Sequence, residues 1–356
     1  YPKIKIINHP FVQEYPKLSR SFFVKKFSFT FNKLSCTSIG YCNLGKFHLL
    51  FRFKSIKKEI RKQVKTNGLI DLAIISTYHD AYMIKYIKRL NPQCKIILLL
   101  PDLPHLRLEN KMSFLYRKYV EFNIHLFDKN LSKVDLLLPI SKHMIDYLGF
   151  KEQNALTVES VFHGGKYQKN STVSKIKTIA YLGSLTKKYG VMELIKGFIL
   201  ADISDYTLII AGRGELEETI AKIASNYNNI IFKGFISKKE SIKVQKEATI
   251  LVVPEPPYNK SNKYSFHSKI FEYMSSGTPV LLYKYDGIPN DYDDFLFYIE
   301  DNGDIISDIS NSIKAILSIP SEKLIEKGKA AQNFIFQHKN YKIIAKTLKK
   351  HIDHIL

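Results

Sequence analysis

Cysteine is scarce in this sequence, and its three cysteines form no recognisable pattern. Cys36, Cys42 and Cys94 make neither a Cys-x-x-Cys pair nor an even-numbered framework. This argues against a disulfide-stapled secreted domain and against a cysteine-ligated zinc site, and it suits a reducing cytoplasm. Long apolar runs are missing too. No segment reaches the roughly 18–20 apolar residues that a membrane-spanning helix needs, and nothing resembles a signal peptide.

The length of the chain predicts two domains, because 356 residues exceed one ordinary hydrophobic core. The first residue is Tyr rather than Met, and a strand-like stretch starts almost at once, at residues 3–11. We therefore expect that a further N-terminal segment precedes this chain in the natural protein.

Acidic residues are in the minority, and the excess of basic residues is uneven. The formal net charge is +21, and residues 1–165 contain 27 Lys and Arg against 12 Asp and Glu. Such asymmetry indicates a polyanionic partner, either a nucleic acid or the anionic face of a membrane. In the densest segment, residues 46–65, Phe and Leu alternate with Lys and Arg at helical spacing. It is either a basic amphipathic helix on a membrane surface or a packed helix with a solvated lysine face.

Short apolar runs alternate with amphipathic helical patterns along the chain. This order is typical of parallel strands joined by crossover helices. A stretch rich in Gly, Lys, Asn and Ser at 161–175 predicts a linker, and a final helical stretch covers 321–356. The predicted strands are 71–76, 94–100, 135–141, 177–185, 206–214, 229–235, 249–256 and 279–285.

Glycines and lysines follow the predicted strands of the second half. Gly183 comes at the end of one strand and is followed by Lys187 and Lys188, and Gly212 and Gly214 form a Gly-x-Gly after the next strand. A long polar loop after a third strand leads into a helix. Backbone N–H groups, a helix N-terminus and lysines all favour an anion, so these corners predict a phosphate-binding site. Each glycine alone could equally be a turn residue, since the third glycine of the dinucleotide fingerprint is missing.

Four segments of the second half look similar to the C-terminal lobe of the family-4 retaining glycosyltransferases. They read "YLGSLTKKYGVMELIKGF", "LIIAGRGE", "IIFKGFIS" and "KYSFHSKIFEYMSSGTPVLL". The similarity covers about residues 175–290 and is nearest to bacterial enzymes that build capsular or exopolysaccharide repeat units. The first half fits more loosely, through its pattern and through "LLLPDLP". The strand and Gly-rich loop with which family members begin are not found ahead of Tyr1.

The resemblance implies an α/β protein of the GT-B fold, with two Rossmann-like, doubly wound lobes facing a central cleft. Residues 1–165 would form the N-terminal acceptor-binding lobe, lacking its first strand. Residues 166–335 would form the C-terminal nucleotide-sugar-binding lobe. Residues 336–356 would form a helix that packs back on the N-terminal lobe.

The resemblance also assigns roles to the segment that opens the last helix of the site. The family carries a Glu-x7-Glu motif, and Glu272 falls on its second acid, which holds the ribose hydroxyls; the other interpretation is a solvated helix acid. At the position of the first acid stands Tyr264, so we expect backbone N–H groups around Phe266 and His267 to hold the sugar. Lys269 stands at the helix start, where the family contacts the diphosphate.

A second diphosphate contact in the family is a Gly-Arg followed five residues later by a Lys. Gly183 matches, but Ser184 and Tyr189 replace the two basic residues, and Lys187 or Lys188 is close enough to substitute. The complete predicted nucleotide-sugar site comprises Gly183, Ser184, Gly212, Gly214, Phe235, Tyr264, Phe266, His267, Ser268, Lys269 and Glu272. The predicted catalytic residues are Asp102, Lys187 and Lys188, with Asp102 either touching the sugar or acceptor or capping a turn.

The implied reaction is transfer of a sugar, with retention, from a UDP-sugar to a lipid-linked or oligosaccharide acceptor in cell-surface polysaccharide synthesis. No cofactor and no metal is expected, although residues 290–295 contain an Asp-x-Asp. The location would be cytoplasmic, peripheral on the inner face of the membrane. Two alternatives remain open: a non-catalytic subunit that binds a nucleotide-sugar, and a nucleic-acid-binding protein, although no nucleic acid is expected because its usual motifs are missing.

Overall fold

The computed structural model describes residues 4–8, 21–44, 48–108, 112–163, 176–259 and 261–356. Residues 164–175 of the predicted linker therefore lie outside the described residues. The chain divides into two compact units. The N-terminal unit consists of Tyr1–Ile74 and Asp80–Ile96, and the C-terminal unit of Ile75–His79 and Ile97–Leu356.

The N-terminal unit begins with five short strands, of which the sequence predicted only the first. They are β1 (Lys5–Asn8), β2 (Phe23–Val24), β3 (Phe27–Phe31), β4 (Leu34–Ser38) and β5 (Tyr41–Cys42). β3 and β4 form an antiparallel hairpin, and β1 pairs in parallel with β4, so that β3 lies at the edge of the sheet. The hairpin turn is made by Asn32 and Lys33, both with positive φ, as a tight two-residue turn requires.

The rest of this unit contains the basic helix that the sequence predicted. Its elements are α1 (His48–Asn67), β6 (Leu72–Ile75) and α2 (Tyr82–Leu90). One side of α1 is buried through Ile56 and Ile60. A shallow depression on the opposite side is lined by six basic residues and one threonine: Lys54, Lys57, Lys58, Arg61, Lys62, Lys65 and Thr66. We call these seven residues the basic face of α1.

The C-terminal unit starts with elements of the predicted first half. These are β7 (Lys95–Leu100), α3 (Phe114–Leu131), β8 (Leu136–Pro139) and α4 (His143–Leu148). β7 pairs in parallel with β8 from Ile97 onwards. The last helix of the chain, α11 (Tyr341–Ile355), contacts β8, and Phe162 exchanges backbone hydrogen bonds with Lys339 and Tyr341.

A parallel six-stranded sheet organises the remainder of this unit. Its strands run in the order β11-β10-β9-β12-β13-β14. The strands are β9 (Ile176–Leu182), β10 (Thr207–Ala211), β11 (Ile230–Phe232), β12 (Ala248–Val253), β13 (Val280–Tyr283) and β14 (Phe297–Ile299). The helices are α5 (Val191–Ala201), α6 (Glu217–Ala224), α7 (Lys238–Glu247), α8 (Ser268–Ser276), α9 (Ile305–Leu317) and α10 (Ser321–His338).

Both faces of this sheet are covered, which explains why its strands are apolar throughout. Ile179 and Tyr181 of β9 point into one hydrophobic cluster, and Ala180 and Leu182 point into the other. From β9 the chain continues to β10 and β11 on one side of the sheet, and from β12 it continues to β13 and β14 on the other side. The loops after β9 and β12 therefore lead away from each other and leave a crevice between them. In doubly wound sheets the crevice at this switch point is where ligands bind.

Among the residues that the structure describes, no helix is long and apolar enough to span a membrane.

Candidate functional site

A small pocket of about 130 Å³ lies at the switch point of the six-stranded sheet. Its walls come from the end of β9 and the turn after it, from the end of β12 and its loop, and from the first turn of α8. The residues that line it are Tyr181, Ser184, Tyr189, Val253, Glu255, His267, Ser268 and Lys269. Four of the residues predicted from the sequence therefore meet here: Ser184, His267, Ser268 and Lys269.

Lys269 brings a half-buried cation to this pocket. Its Nζ donates a hydrogen bond to the Tyr181 hydroxyl at 2.6 Å and lies 4.1 Å from the centroid of that ring. The Tyr181 hydroxyl in turn donates to the carbonyl of Ser184 at 2.6 Å. Burial lowers the pKa of Lys269 to about 8, and the Glu255 carboxylate partly opposes this effect. An anion bound in the pocket would stabilise the charged form of Lys269 and raise its pKa again.

Gly183 is required beside this cation. A Cβ built at position 183 would overlap Cε and Nζ of Lys269. The glycine that the sequence reading placed next to a phosphate therefore leaves the space in which the lysine side chain lies. Glycine is therefore favoured at position 183 because a larger residue would displace Lys269. The absence of a side chain at this position allows the Lys269 ammonium to lie beside the backbone.

The other two predicted glycines, Gly212 and Gly214, allow backbone segments to approach each other. A Cβ at Gly212 would overlap the Gly183 carbonyl, and one at Gly214 would overlap the Leu185 carbonyl. Their N–H groups donate within the protein, to the Gly234 carbonyl and to the Glu217 carboxylate, both at 2.8 Å. Contact of these N–H groups with a ligand remains a prediction.

Glu255 is a pocket residue that the sequence reading missed. It follows β12, its residue exposure is 4%, and one carboxylate oxygen lies 3.2 Å from Nε2 of His267. Burial raises the pKa of Glu255 to about 6, although Lys188 and Lys269 act in the opposite direction. The signal in the sequence is an acid between two prolines directly after a buried strand, which is a common position for a ligand-binding residue in this type of sheet.

The surroundings of His267 favour the neutral form of its imidazole. Burial lowers its pKa to about 4, and the charges of Lys269 and Lys188 act in the same direction. Its backbone N–H donates to the Tyr285 hydroxyl at 3.3 Å. The ring of Phe266 lies in the hydrophobic core, 5.2 Å from Tyr292. The sequence-based expectation that backbone N–H groups around these residues hold the sugar is untested.

Lys187 and Lys188 lie in the turn after β9, and both are exposed. Lys188 acts electrostatically on Glu255 and His267, whereas the backbone N–H of Lys187 donates to the Glu215 carboxylate at 3.1 Å. Lys188 is therefore the better candidate of the two for contact with a ligand.

Glu272 lies one turn beyond Ser268 on α8, outside the pocket wall. Its carboxylate accepts from Lys238 and, at 3.2 Å, from Nε2 of Gln245. Both partners belong to α7. A ribose hydroxyl would have to join or replace these contacts.

Three further predicted residues lie outside the pocket wall. Tyr264 packs against Tyr147, with ring centroids 5.2 Å apart. Phe235 is 68% exposed and is covered on one side by the Arg213 guanidinium, 4.3 Å from its centroid. Asp102 is exposed in the loop after β7.

The Asp-x-Asp of residues 290–295 is engaged in ion pairs. Asp293 contacts Lys284 and accepts from the Tyr298 hydroxyl at 2.6 Å, and Asp291 lies 3.3 Å from Lys339. Within the described ranges, no group of three or more His, Cys, Asp or Glu could hold a metal ion.

The lysine and the helix N-terminus make this pocket attractive to an anion, and part of the chain matches a known family. Residues 166–334 match the model of the family Glycosyl transferases group 1. The pocket, Gly183, Lys269 and α8 all lie inside the matched residues. No curated protein sequence matches the chain.

Solved structures of glycosyltransferases share the fold. Sucrose-phosphate synthase from Thermosynechococcus elongatus has a TM-score of 0.67 at 14% identity, over 96% of this chain and 86% of that one. HepE from Anabaena, in complex with UDP, has a TM-score of 0.62 at 16% identity, over 87% and 85%. A TarM variant from S. aureus, in complex with fondaparinux, alpha-GlcNAc-glycerol and UDP, has a TM-score of 0.60 at 16% identity, over 88% and 59%.

The fold prediction is confirmed: the protein is an α/β protein of the GT-B class with two Rossmann-like lobes. The chain spans about three fifths of the length of the TarM chains to which it is similar. The predicted domain boundaries remain predictions.

Proposed function

We propose that this protein is a glycosyltransferase that takes a sugar from a nucleotide-diphosphate sugar and transfers it to a saccharide acceptor. The observation that carries the proposal is the switch-point pocket within the residues matched by the family model, in which the half-buried ammonium of Lys269 stands at the start of α8. A half-buried cation beside a helix N-terminus favours an anionic group, and a diphosphate fits that requirement. The UDP in the HepE structure supports uracil as the base of the donor.

In this proposal the residues of the pocket hold the leaving diphosphate. Lys269 and the N–H groups that open α8 bind its oxygens, with Lys188 at the rim. Because negative charge grows on the diphosphate as the glycosidic bond breaks, these groups bind the transition state more strongly than the ground state. Glu272 would hold the ribose, and Asp102 would lie near the sugar or the acceptor.

We further propose that the reaction retains the configuration at the anomeric carbon and needs neither a metal nor an organic cofactor. The acceptor hydroxyl would attack from the face that the diphosphate leaves. Lys269 would stabilise the negative charge of the leaving diphosphate, a role that a bound metal ion has in other enzymes. Two measurements test these points: the anomer of the product by NMR, which should equal that of the donor, and activity in EDTA, which should be unchanged.

The acceptor that we propose is lipid-linked, in the synthesis of a cell-surface polysaccharide at the cytoplasmic side of the membrane. The N-terminal unit supports this proposal through the basic face of α1. It also exposes aromatic rings along the edge strand β3, where Phe27 and Phe31 are each more than half exposed. Cationic and aromatic side chains together are typical of surfaces that bind anionic lipid interfaces.

A second candidate is a non-catalytic subunit that binds the same donor. It is motivated by Ser184 and Tyr189, which stand where the resembling family has basic residues, and by Tyr264, which replaces an acid. Release of UDP from a bound UDP-sugar, with acceptor present or by slow hydrolysis, would exclude this candidate.

The experiment that tests the proposed function is a thermal-shift panel of UDP-, GDP- and dTDP-sugars, with the wild type beside Glu272→Ala. We expect UDP and at least one UDP-sugar to raise the Tm of the wild type, and to raise that of the variant less, since the ribose contact is lost. Failure of every nucleotide to stabilise the folded wild type would contradict the proposal. An equal rise in both proteins would remove Glu272 from the site but leave the function standing.

A further inference from the structure

The carboxylate of Glu255 is buried in the pocket without the hydrogen bonds that such a group needs. Within the described residues, neither oxygen has a partner at full hydrogen-bond geometry. The Asn259 side chain is near enough to lower the pKa of the carboxyl group, which leaves most of its acceptor capacity unused. Nε2 of His267 lies near one carboxylate oxygen, at 3.2 Å, but without hydrogen-bond geometry. A buried carboxylate with so few donors destabilises the fold, so a residue of this kind is expected to serve a ligand.

The elements around Glu255 supply charge but leave its acceptor positions open. Lys188, Tyr181 and Tyr189 surround it from β9 and the turn after it, His267 and Lys269 from the start of α8, and Tyr285 from the segment after β13. Lys269 donates to the Tyr181 hydroxyl instead of to Glu255, and the backbone N–H of His267 donates to the Tyr285 hydroxyl. The pocket therefore offers one cationic side and one acceptor side.

The cationic side and the acceptor side of the pocket would bind chemically different parts of one ligand. A diphosphate has only acceptors and negative charge, so it is attracted to Lys269 and repelled by Glu255. The groups that a carboxylate can hold are donors, and a neutral sugar presents several hydroxyl donors on adjacent carbons. A carboxylate can accept from two such hydroxyls at once.

We propose that Glu255 is the residue that binds the sugar of the donor, accepting hydrogen bonds from hydroxyls of a neutral hexose while Lys269 holds the diphosphate. The inference rests on the proposed function and names the substrate class of its donor site. A neutral, hydroxylated sugar is bound; a uronic acid, whose carboxylate would meet that of Glu255, is rejected.

Calorimetric titration separates the sugar contribution from that of the nucleotide. The probes are UDP, UDP-glucose, UDP-galactose, UDP-GlcNAc and UDP-glucuronic acid, titrated into wild type, Glu255→Gln, Glu255→Asp and the control Glu300→Gln, whose residue is exposed outside the pocket. In the wild type and the control, at least one neutral UDP-sugar should bind roughly ten- to a hundredfold more tightly than UDP. UDP-glucuronic acid should bind no more tightly than UDP.

The variants decide whether Glu255 makes that difference. Glu255→Gln should bind UDP as the wild type does, but lose most of the gain from the sugar and lose its discrimination against UDP-glucuronic acid. Glu255→Asp, which keeps the carboxylate, should retain part of the gain. In the wild type the gain should shrink as the pH falls below about 6, whereas in Glu255→Gln it should not depend on pH.

Each outcome has one meaning. An unchanged sugar gain in Glu255→Gln, or no gain for any neutral sugar in a wild type that binds UDP, overturns the inference and leaves the proposed function intact. Absence of UDP binding by the wild type overturns both. Since Gln is nearly isosteric with Glu and carries no charge to bury, Glu255→Gln is expected to fold, and its Tm is measured alongside.

Discussion

At the residue scale, the pocket combines three titratable groups whose environments separate their charge states. With a pKa of about 6 for Glu255, about 4 for His267 and about 8 for Lys269, the pocket at pH 7 holds a carboxylate, a neutral imidazole and an ammonium. Burial is the first cause of all three shifts. Perturbed groups that cluster at a switch point are a mark of a ligand site.

Lys269 gives the pocket a predictable pH dependence. Between about pH 8 and its usual pKa near 10.5 the folded protein has lost the proton that the unfolded chain keeps, so stability of the free protein should rise with pH there. Over the same window UDP should bind more weakly, because the ammonium disappears.

The matching substitution is Lys269→Met. It should weaken UDP binding roughly tenfold or more and flatten the pH profile above pH 8, as measured by calorimetric titration. Lys196→Met, at an exposed position of α5, is the control and should behave like the wild type. A wild-type affinity that is constant up to pH 10 would contradict the role given to Lys269.

A side chain at position 183 should affect the stability of the protein little but should weaken ligand binding. In Gly183→Ala the new methyl group displaces the end of the Lys269 side chain, which is flexible, so the Tm should change little while UDP affinity falls. Gly212→Ala is the comparison, because its methyl group meets backbone and should destabilise the protein. Equal stability losses in the two variants would argue against this account.

Sequence reasoning predicted some of these residues and missed others for physical reasons. Gly183 was found because glycines at strand ends have a known chemistry, whereas Lys269 was assigned through the family resemblance, from its place at the start of a helix. Glu255 was missed because its significance depends on burial and on neighbours distant in sequence. Glu272 was singled out by motif, and its contacts with Lys238 and Gln245 could not be inferred from the motif.

At the scale of elements, one hydrogen-bonded contact fixes α8 against β9 and so places Lys269 beside Gly183. The buried hydroxyl of Tyr273 accepts from the N–H of Leu182 at 2.8 Å and donates to its carbonyl at 3.1 Å. Tyr273→Phe leaves these backbone groups buried without that partner. We expect a loss of about 1–3 kcal/mol in the free energy of unfolding, measured by urea denaturation.

The control for that experiment is Tyr227→Phe, at an exposed position after α6, which should be close to neutral. A variant Tyr273→Phe as stable as the wild type would show that the contact contributes nothing.

The basic face of α1 predicts binding to anionic lipid. The triple substitution of Lys58, Lys62 and Lys65 by Gln removes three exposed charges. Binding to phosphatidylglycerol-containing vesicles should fall roughly a hundredfold, at about 1 kcal/mol for each charge. Flotation or sedimentation with phosphatidylcholine vesicles, with and without phosphatidylglycerol, measures it.

A charge-matched control substitutes Lys196, Lys222 and Lys314, which are exposed on helices of the C-terminal unit. If the control loses as much binding as the α1 variant, the attraction belongs to the net charge of +21 and not to α1.

Elements were predicted well where burial on both faces makes a strand apolar throughout. The predicted strand 249–256, for example, is observed as β12, Ala248–Val253. The β3–β4 hairpin was missed although "FSFTF" alternates, because all five β3 residues are exposed and its turn, Asn32-Lys33, lacks the usual glycine. The final helical stretch is two helices, since Asn340 caps α11 through its side chain.

At the scale of the whole molecule, the fold class followed from the alternation of strands and helices and from four motif segments. The family match begins at residue 166 and ends at 334, whereas the C-terminal unit also takes in residues 97–163. Hydrogen bonds of Phe162 with Lys339 and Tyr341 are long-range contacts of a kind that no local pattern reveals. The predicted boundary at 165/166 lies near the start of the family match, and it differs from the division between the two compact units.

The central claim is that the switch-point pocket binds the diphosphate of a nucleotide-sugar, and a crystal structure of the protein with UDP tests it most directly. The account predicts diphosphate oxygens at about 3 Å from Nζ of Lys269 and from an N–H at the start of α8. UDP bound at the basic face of α1, with the pocket empty, would contradict it.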